Sequence, residues 1–335
     1  MRLQERHTRK KLVGALVALT LVAAACGSHT DSSSDASDST TDSALDDSEE
    51  TAAESAVTEP AVEASVSTDG AEDAAMPQRV VSLSPTHTEI MFAIGAGDQL
   101  VAVDQYSNYP AEALDLPNEL SGFEPNVEAI AAYEPDLVLI GGDFNGLGDQ
   151  LAELDIASWD GPSATMIEDT YAQIEQLGAA TGNVEEAAEL VSSMQTELDA
   201  LLADAPSTEP ALSVYHEVDS TYFSADSTSF IGEVYSSFGL ENIADRAEGD
   251  NFGFPQLNAE AIISSDPDLI FVPCGNFCTT TADEVSGRPG WDAIAAVQNG
   301  NVIEADEDIA SRWGPRIVEY YAAVATAIEQ AAVPA

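Results

Sequence analysis

The sequence predicts an α/β fold of two Rossmann-like lobes joined by a single long interdomain α-helix. The first observation behind this prediction is a repeat. The pattern of residues 126–138, with Asn, Glu and Ile at alternate positions and a later Pro-Asp-Leu, returns 132 residues further on at 258–270. A unit repeated at this distance indicates two similar lobes rather than one sheet. The second observation is an amphipathic stretch at residues 183–205, which lies between the two copies.

Each copy of the repeat is typical of a short helix followed by a buried strand. An Asn stands where a helix would be capped, and a Glu follows in the first turn. Pro-Asp then interrupts the chain before apolar runs at residues 137–140 and 269–272. Two lobes of this kind leave a cleft between them, and small ligands bind in such clefts.

The amino-terminal residues 1–26 have the pattern of an export signal. Five basic residues precede an apolar run at residues 12–25, which is too short to span a bilayer comfortably. The run ends in Ala-Ala-Ala-Cys-Gly, which resembles a lipobox and predicts lipidation at Cys26. The alternative is an ordinary signal peptide with an incidental cysteine.

Residues 27–78 are predicted to be a disordered tether. They contain 14 acidic residues, no basic residue and no apolar periodicity. A flexible chain of this length has a root-mean-square reach of roughly 40 Å.

The folded part, residues 79–335, contains 45 acidic residues, five Arg and no Lys. This charge excludes nucleic-acid binding, because nothing could neutralise the phosphates. Cys274 and Cys278 form a close pair, which in an exported protein favours a small disulfide loop. A metal site would need further ligands, so no metal site is predicted.

The first lobe is assigned to residues 79–182. A strand at 79–84 leads into a helix from residue 85, for which the spacing of Thr86 and Glu89 suggests a capping box. A second strand at 100–103 precedes a loop rich in aromatic residues. After the repeat, a helix at 147–154 and a short strand near Trp159 complete this lobe.

The bridging helix is assigned to residues 183–205, with Asn183 as its cap and Pro206 as its end. One face is apolar, which is typical of an amphipathic helix; its residues are Val184, Ala187, Ala188, Val191, Met194, Leu198, Leu201 and Leu202. At 1.5 Å per residue the helix is roughly 30 Å long, enough to cross between lobes. The alternative is a surface helix within a single domain.

The second lobe is assigned to residues 206–335. Strands are predicted at 212–216, 222–224 and 302–303, and helices at 230–240, 291–297 and 317–331. Residues 308–316 are predicted to form a loop that enters the final helix.

Several of these segments together resemble one known family. They are residues 79–89, the Tyr-Ser-Asn-Tyr-Pro of 106–110, both Glu-containing repeats, and residues 312–317. In this order they resemble the extracytoplasmic binding proteins of ABC importers for cobalamin and ferric siderophores, over residues 79–330. The resemblance implies capture and delivery of a solute without chemistry on it. Two alternatives belong to other classes: a metal-dependent or hydrolytic enzyme that uses His87 or His216, and a purely structural surface lipoprotein.

The resemblance also implies which residues line the cleft. Those of the first lobe are Thr86, His87, Tyr106, Tyr109 and Phe123, and those of the second are Phe254, Asp308, Arg312 and Trp313. Aromatic walls with a few polar anchors suit a large flat ligand such as a corrin, a haem or a metal chelate.

The scarcity of basic residues bears on the identity of the ligand. Strongly anionic catecholate siderophores need several cationic anchors, and only Arg312 is expected to point into the cleft. This favours cobalamin or another near-neutral corrinoid, although a hydroxamate chelate fits equally well. Haem would need an axial ligand, for which Tyr106, Tyr109 or His87 could serve. No cofactor is expected besides the ligand itself.

Glu128 and Glu260 occupy the same place in the two repeats. Each has a structural use, because a carboxylate near the start of a helix is favoured by the helix dipole. The resemblance implies a second use, in which one Glu on each lobe engages Arg residues of the permease. The expected partners are a permease dimer with its ATPase subunits and a membrane, reached through the lipid on Cys26. We expect a monomer held at the outer face of the cytoplasmic membrane.

Overall fold

The computed structural model describes residues 76–143, 145–249, 251–273 and 280–332. All of them belong to one unit, Ala61–Ala335. The predicted signal with Cys26, almost all of the tether, and the pair Cys274 and Cys278 lie outside the described residues. Among the helices that are described, none is both long enough and apolar enough to cross a membrane.

Two four-stranded parallel sheets form the framework of the protein. The first sheet contains β1 (Val80–Ser82), β2 (Leu100–Val103), β3 (Leu137–Ile140) and β4 (Ala157–Asp160). The second contains β5 (Ser213–His216), β6 (Glu241–Asn242), β7 (Leu269–Pro273) and β8 (Val302–Ala305). The strand orders are β2-β1-β3-β4 and β6-β5-β7-β8, so both sheets have the same topology. The prediction of two similar α/β lobes is confirmed, and we call the parts built on these sheets the first and the second lobe.

Helices connect the strands and cover the sheets. Those of the first lobe are α1 (Pro85–Ala93), α2 (Val127–Ala131), α3 (Leu147–Ala152) and α4 (Ile167–Thr181). After them come α5 (Val184–Asp204), α6 (Phe230–Ser237), α7 (Ala259–Ser265), α8 (Ala282–Ser286), α9 (Ala295–Asn299), α10 (Glu307–Ser311) and α11 (Ile317–Ala332). The repeated Asn residues cap α2 and α7 as expected, since each side chain accepts a hydrogen bond from a backbone N–H in the first turn.

The Asp of each repeated Pro-Asp pins one strand to its neighbour. Asp136, just before β3, accepts hydrogen bonds from the backbone N–H groups of Gln78 (2.9 Å) and Arg79 (3.0 Å), which lead into β1. Asp268, just before β7, accepts from the backbone N–H and the hydroxyl of Ser213 at the start of β5, both at 2.8 Å. The repeated Asp therefore has the same structural role in both lobes: it fixes the register of β1 against β3 and of β5 against β7.

One hydrophobic core is shared by the two lobes. Alternate residues of the central strands point to opposite faces of each sheet. Val80 and Leu139 of the first sheet and Phe271 of the second belong to the same continuous core. The opposite faces pack into two separate cores, one with Val138 and one with Ile270. A shared core resists movement of one lobe against the other.

The long helix α5 contributes to this shared core. It follows the last strand of the first sheet and precedes the first strand of the second, and it packs against α4 and α11. Its buried residues are Ala187, Val191, Met194 and Leu198, all on the predicted apolar face. Val184 and Ala188, predicted on the same face, are exposed instead.

Four local predictions are wrong. Ser84, not Thr86, caps α1, and Glu89 forms no capping box because its carboxylate pairs with an Arg of the second lobe. Residues 222–224 form only an isolated bridge, Phe223 to Gln256, rather than a strand. The predicted loop at 308–316 begins with the short helix α10. Asn183 precedes α5, but its side chain makes no capping hydrogen bond.

Candidate ligand-binding site

A cavity of about 800 Å³ opens where the strands of the first sheet end. Its floor is formed at the carboxyl ends of β1, β2 and β3, by Ser84, Asp104 and Gly141 among others. Ligands of open α/β sheets bind at this edge. The second lobe closes the cavity with α10 and the two residues after it, Arg312 and Trp313. The volume lies within the range of small-molecule sites.

Aromatic side chains form part of the cavity wall. Tyr106 and Phe123 from the first lobe and Trp313 from the second line it. The rings of Tyr106 and Phe123 meet edge to face, with centroids 5.8 Å apart. Phe123 is 77% exposed, which is unusual for a large apolar residue unless something covers it. Gly122 allows this placement, because a Cβ there would lie 2.2 Å from the carbonyl oxygen of Leu83.

Arg312 joins the two lobes instead of offering a free positive charge. Its Nη1 donates to Oε1 of Glu89 (2.7 Å) and to Oδ1 of Asn108 (2.9 Å), both in the first lobe. Its Nη2 lies 2.7 Å from Oδ1 of Asp308 and donates to the carbonyl of Tyr106 at 3.2 Å. The side chain is 8% exposed, and that of Glu89 is 2% exposed. We call Glu89, Asn108, Asp308 and Arg312 the interlobe clamp.

A second set of contacts extends the clamp to α4. The indole Nε1 of Trp313 donates to Oε1 of Gln173 at 3.0 Å. Nε2 of His87 lies 3.1 Å from the same oxygen, and Nε2 of Gln173 donates to the carbonyl of Pro162 at 2.7 Å. Gln173 therefore fixes the ring of Trp313 at the edge of the cavity.

Three of the residues expected in the cleft lie elsewhere. His87 is fully buried against Trp159 and Gln173 and does not line the cavity. Tyr109 lines a second cavity of about 760 Å³, between α1, α5 and α11, where the guanidinium of Arg316 lies 4.1 Å from its ring centroid. Phe254 is 43% exposed on the second lobe, outside the cavity lining as the described residues define it. Of the two phenylalanines expected in the cleft, Phe123 therefore lines the cavity and Phe254 does not.

The charges around the cavity are mainly negative. Among the described residues that line it, Arg312 is the one basic side chain and four are acidic: Asp104, Asp143, Glu307 and Asp308. Asp143 accepts from the backbone N–H groups of Leu147 (2.6 Å) and Gly148 (3.0 Å), and so satisfies two donors in the first turn of α3. Burial raises the pKa of Asp104, although hydrogen bonds from Ser107 act against that rise. No cluster of metal-ligating side chains occurs in the part of the chain that is described.

Comparison with known proteins identifies the family. Residues 80–309 match the sequence profile of the family described as "Periplasmic binding protein". The chain belongs to the periplasmic binding protein family. Members of this family are solute-binding proteins, and one relative of this chain is named as the substrate-binding lipoprotein of an ABC transporter.

Relatives of this periplasmic binding protein include an uncharacterized ABC transporter substrate-binding lipoprotein of Bacillus subtilis. The two are 32% identical over 251 residues, which cover 72% of this chain and 77% of the relative. A cobalamin-binding protein of Halobacterium salinarum is 30% identical over 264 residues, covering 77% and 71% respectively. The crystal structure of the periplasmic vitamin B12 binding protein of Vibrio cholerae superposes with a TM-score of 0.64 at 25% identity, covering 76% of this chain and 98% of that one.

The repeated glutamates are exposed on this periplasmic binding protein. Glu128 lies in the first turn of α2 and Glu260 in the first turn of α7. Within the described residues neither forms an ion pair. Both carboxylates are therefore free to meet a partner.

Sequence reasoning missed three residues of the site: Glu89, Asp104 and Asn108. Asp104 had a usable signal, because it directly follows a predicted strand and so lies at the ligand-binding edge of the sheet. Nothing in the sequence pointed to Glu89 or Asn108, because their partner Arg312 is 223 and 204 positions away, respectively.

We predict that the protein loses stability in acid because of His87 and His216, the two histidines among the described residues. Burial lowers the pKa of both His87 and His216 to about 4, against 6.5 for an unperturbed histidine. Between about pH 4 and pH 6.5 the two histidines bind protons in the unfolded chain but not in the folded protein. The free energy of unfolding should therefore fall as the pH drops from 7 to 5, by about 2 kcal/mol for each histidine, with no further loss from them below about pH 4.

This expectation is best checked by NMR titration of the imidazole resonances together with urea unfolding at several pH values. The raised pKa values of Glu89 and Asp104 oppose the trend, because the folded protein then takes up protons before the unfolded chain does. The ring titrations separate the two effects. A buried histidine that titrates near pH 6.5 would contradict the prediction.

Proposed function

We propose that this protein is the extracytoplasmic solute-binding component of an ABC importer and that it captures a corrinoid in the interlobe cavity. The observation that carries the proposal is the cavity itself. It combines an aromatic wall of Tyr106, Phe123 and Trp313 with a polar floor at the carboxyl ends of the strands. The names of the cobalamin-binding and vitamin B12-binding relatives support the same class of ligand.

The charge of the cavity favours a neutral ligand over an anionic one. Arg312 was expected to anchor a ligand, but its guanidinium is occupied by Glu89, Asp308 and Asn108. An anion in the cavity would meet acidic side chains and, among the described residues that line it, no free cation to pair with, which is costly in a partly desolvated site. A corrinoid, whose rim carries amides, or a hydroxamate chelate avoids this cost.

Fluorescence titration tests the proposal directly, because Trp313 lines the cavity. We expect cyanocobalamin to quench the emission at one-to-one stoichiometry, and ferric catecholates to have little effect. The quench should shrink in Trp313→Phe and persist in Trp291→Phe, since Trp291 is buried in a separate core of the second lobe. Failure of cobalamin, haem, hydroxamates and catecholates alike to bind, by fluorescence and native mass spectrometry, would overturn the transport function.

Haem is the second candidate ligand within the same fold. Of the three residues considered as axial ligands, Tyr106 lines the cavity, whereas His87 is buried and Tyr109 faces the second cavity. The two propionates of haem would also add negative charge to an acidic site. We therefore expect haem to bind more weakly than cobalamin, and competition between the two measures the difference.

We infer that the protein performs no catalysis on its ligand. The enzymatic alternative was a metal-dependent or hydrolytic enzyme that uses His87 or His216. His216 is 2% exposed, and its Nδ1 lies 2.7 Å from the hydroxyl of Tyr235. Both rings are buried outside the cavity, and burial lowers the pKa of each to about 4, so both are neutral at pH 7. Their role is therefore to pack and hydrogen-bond in the core. Recovery of chemically unchanged cobalamin after prolonged incubation is the expected result.

Export, lipid attachment at Cys26 and docking to a permease complete the proposed function. The lipoprotein name of the Bacillus relative supports the anchor, and the exposed pair Glu128 and Glu260 supports docking. Intact-mass analysis of the membrane fraction tests the lipid on Cys26, and the same spectrum tests the proposed disulfide of Cys274 and Cys278. A mass without lipid, or with two free thiols, would contradict the corresponding part.

A further inference from the structure

Asp104 is a buried carboxylate at the floor of the cavity. It directly follows β2, it is 1% exposed, and it lines the cavity. Within the described residues it takes part in no ion pair, because Arg312 is held by Glu89 and Asp308. Of the roughly four acceptor sites of a carboxylate, the hydroxyl of Ser107 and the backbone N–H groups of Tyr106 and Ser107 use three, so about one is left for a ligand.

A chain of hydroxyl groups holds this carboxylate in place. The Oγ of Ser107 donates to Oδ1 of Asp104 at 2.6 Å, and the Oγ1 of Thr88 lies 2.8 Å from that of Ser107. Thr88 in turn hydrogen-bonds to Ser82 (2.9 Å) and to the carbonyl of Ser84 (3.1 Å), at the end of β1. All of these residues are buried. The acceptor is therefore fixed before a ligand arrives, as a selective site requires.

We propose that Asp104 is a specificity-determining residue that accepts a hydrogen bond from an N–H donor on the rim of the ligand. The group on the ligand that fits this acceptor is a primary carboxamide. A carboxylate at the same position of the ligand would be excluded. The inference rests on the proposed function, because the ligand carrying the amide is the corrinoid. Hydrogen bonds to a charged acceptor are about twice as strong as neutral ones, and two carboxylates facing each other repel.

The substitution Asp104→Asn gives a sharp test. Asn has the same shape and can still accept from Ser107, but it replaces the second carboxylate oxygen with an N–H donor. The probes are cyanocobalamin and its monocarboxylic acids, in which one peripheral amide is hydrolysed. We expect the variant to bind cyanocobalamin roughly 10- to 100-fold more weakly than the wild type. We also expect it to bind at least one of the acids more tightly than the wild type does.

Asp115→Asn is the matched control, because Asp115 is an exposed carboxylate of the same lobe outside the cavity. It removes the same charge and should leave the affinity for every probe unchanged. The melting temperatures of both variants show whether they fold. An Asp104→Asn protein that folds and binds all probes as the wild type does overturns the role of Asp104 while the proposed function stands. A wild type that binds no corrinoid overturns both.

Discussion

Replacing Arg312 with alanine should lower the free energy of unfolding by about 3–5 kcal/mol, the usual cost of removing one partner from a buried ion pair. The reason is the environment of Glu89, whose side chain is 2% exposed and would keep only its longer contact with Arg316, at 3.5 Å, as an ion pair among the described residues. Asp308 and Asn108 would lose the same partner. Urea unfolding at neutral pH measures the loss, and the midpoint of thermal unfolding should fall with it.

An exposed ion pair within the second lobe provides the control. Arg246 and Glu241 are 52% and 58% exposed, so Arg246→Ala should change stability by no more than about 1 kcal/mol. The double variant Glu89→Gln with Arg312→Met should recover part of the loss, because it removes both buried charges together. If Arg312→Ala costs no more than Arg246→Ala, the interlobe clamp does not stabilise the fold.

Reversing the charge of both Glu128 and Glu260 to Arg should abolish uptake of the ligand by cells. Both carboxylates are exposed, one on each lobe, and they have no ion pair among the described residues. In the proposed docking a permease dimer would offer two equivalent sockets, and reversed charges would repel basic groups in both of them. Neither residue lines the ligand cavity, so the affinity for ligand should stay as in the wild type. Uptake of labelled cobalamin and co-purification with the permease are the measurements.

The matched control is the double variant Glu168→Arg and Glu185→Arg. These residues are also exposed glutamates in the first turns of helices, α4 and α5, so net charge and helix dipoles change in the same way. The dipole contribution of such a residue is at most about 1 kcal/mol. Normal uptake by the Glu128 and Glu260 variant would contradict the docking role, and so would an equal loss of uptake in the control variant. In either case the two glutamates would contribute only to the helix dipole.

The repeated lobes could be predicted because their signals are local. The Asn that caps α2 recurs before α7, and the Asp that pins β1 recurs as the Asp that pins β5. Each of these residues acts on backbone groups within its own lobe, so its spacing is visible in the sequence. The bounds of α5 were also predictable, since an apolar face and a terminal Pro206 mark them.

The errors have physical causes that the sequence does not display. Pro85 occupies the first position of α1, where its missing N–H costs nothing, and this moves the cap back to Ser84. His87 was expected in the cleft from the family resemblance, but successive residues of a helix point in different directions and His87 points into the core. Glu89 pairs across more than 200 positions, a distance at which spacing carries no information.

The position of the interlobe clamp in the chain also fixes the order in which the site is assembled. Glu89 and Asn108 belong to the part of the chain that is synthesised first, whereas Asp308 and Arg312 come near its end. The first lobe can form its sheet early, but the wall made by α10 and Trp313 is absent until almost the whole chain has emerged. A polypeptide that has not been completed therefore has no closed cavity, and capture of the ligand becomes a property of the finished molecule alone.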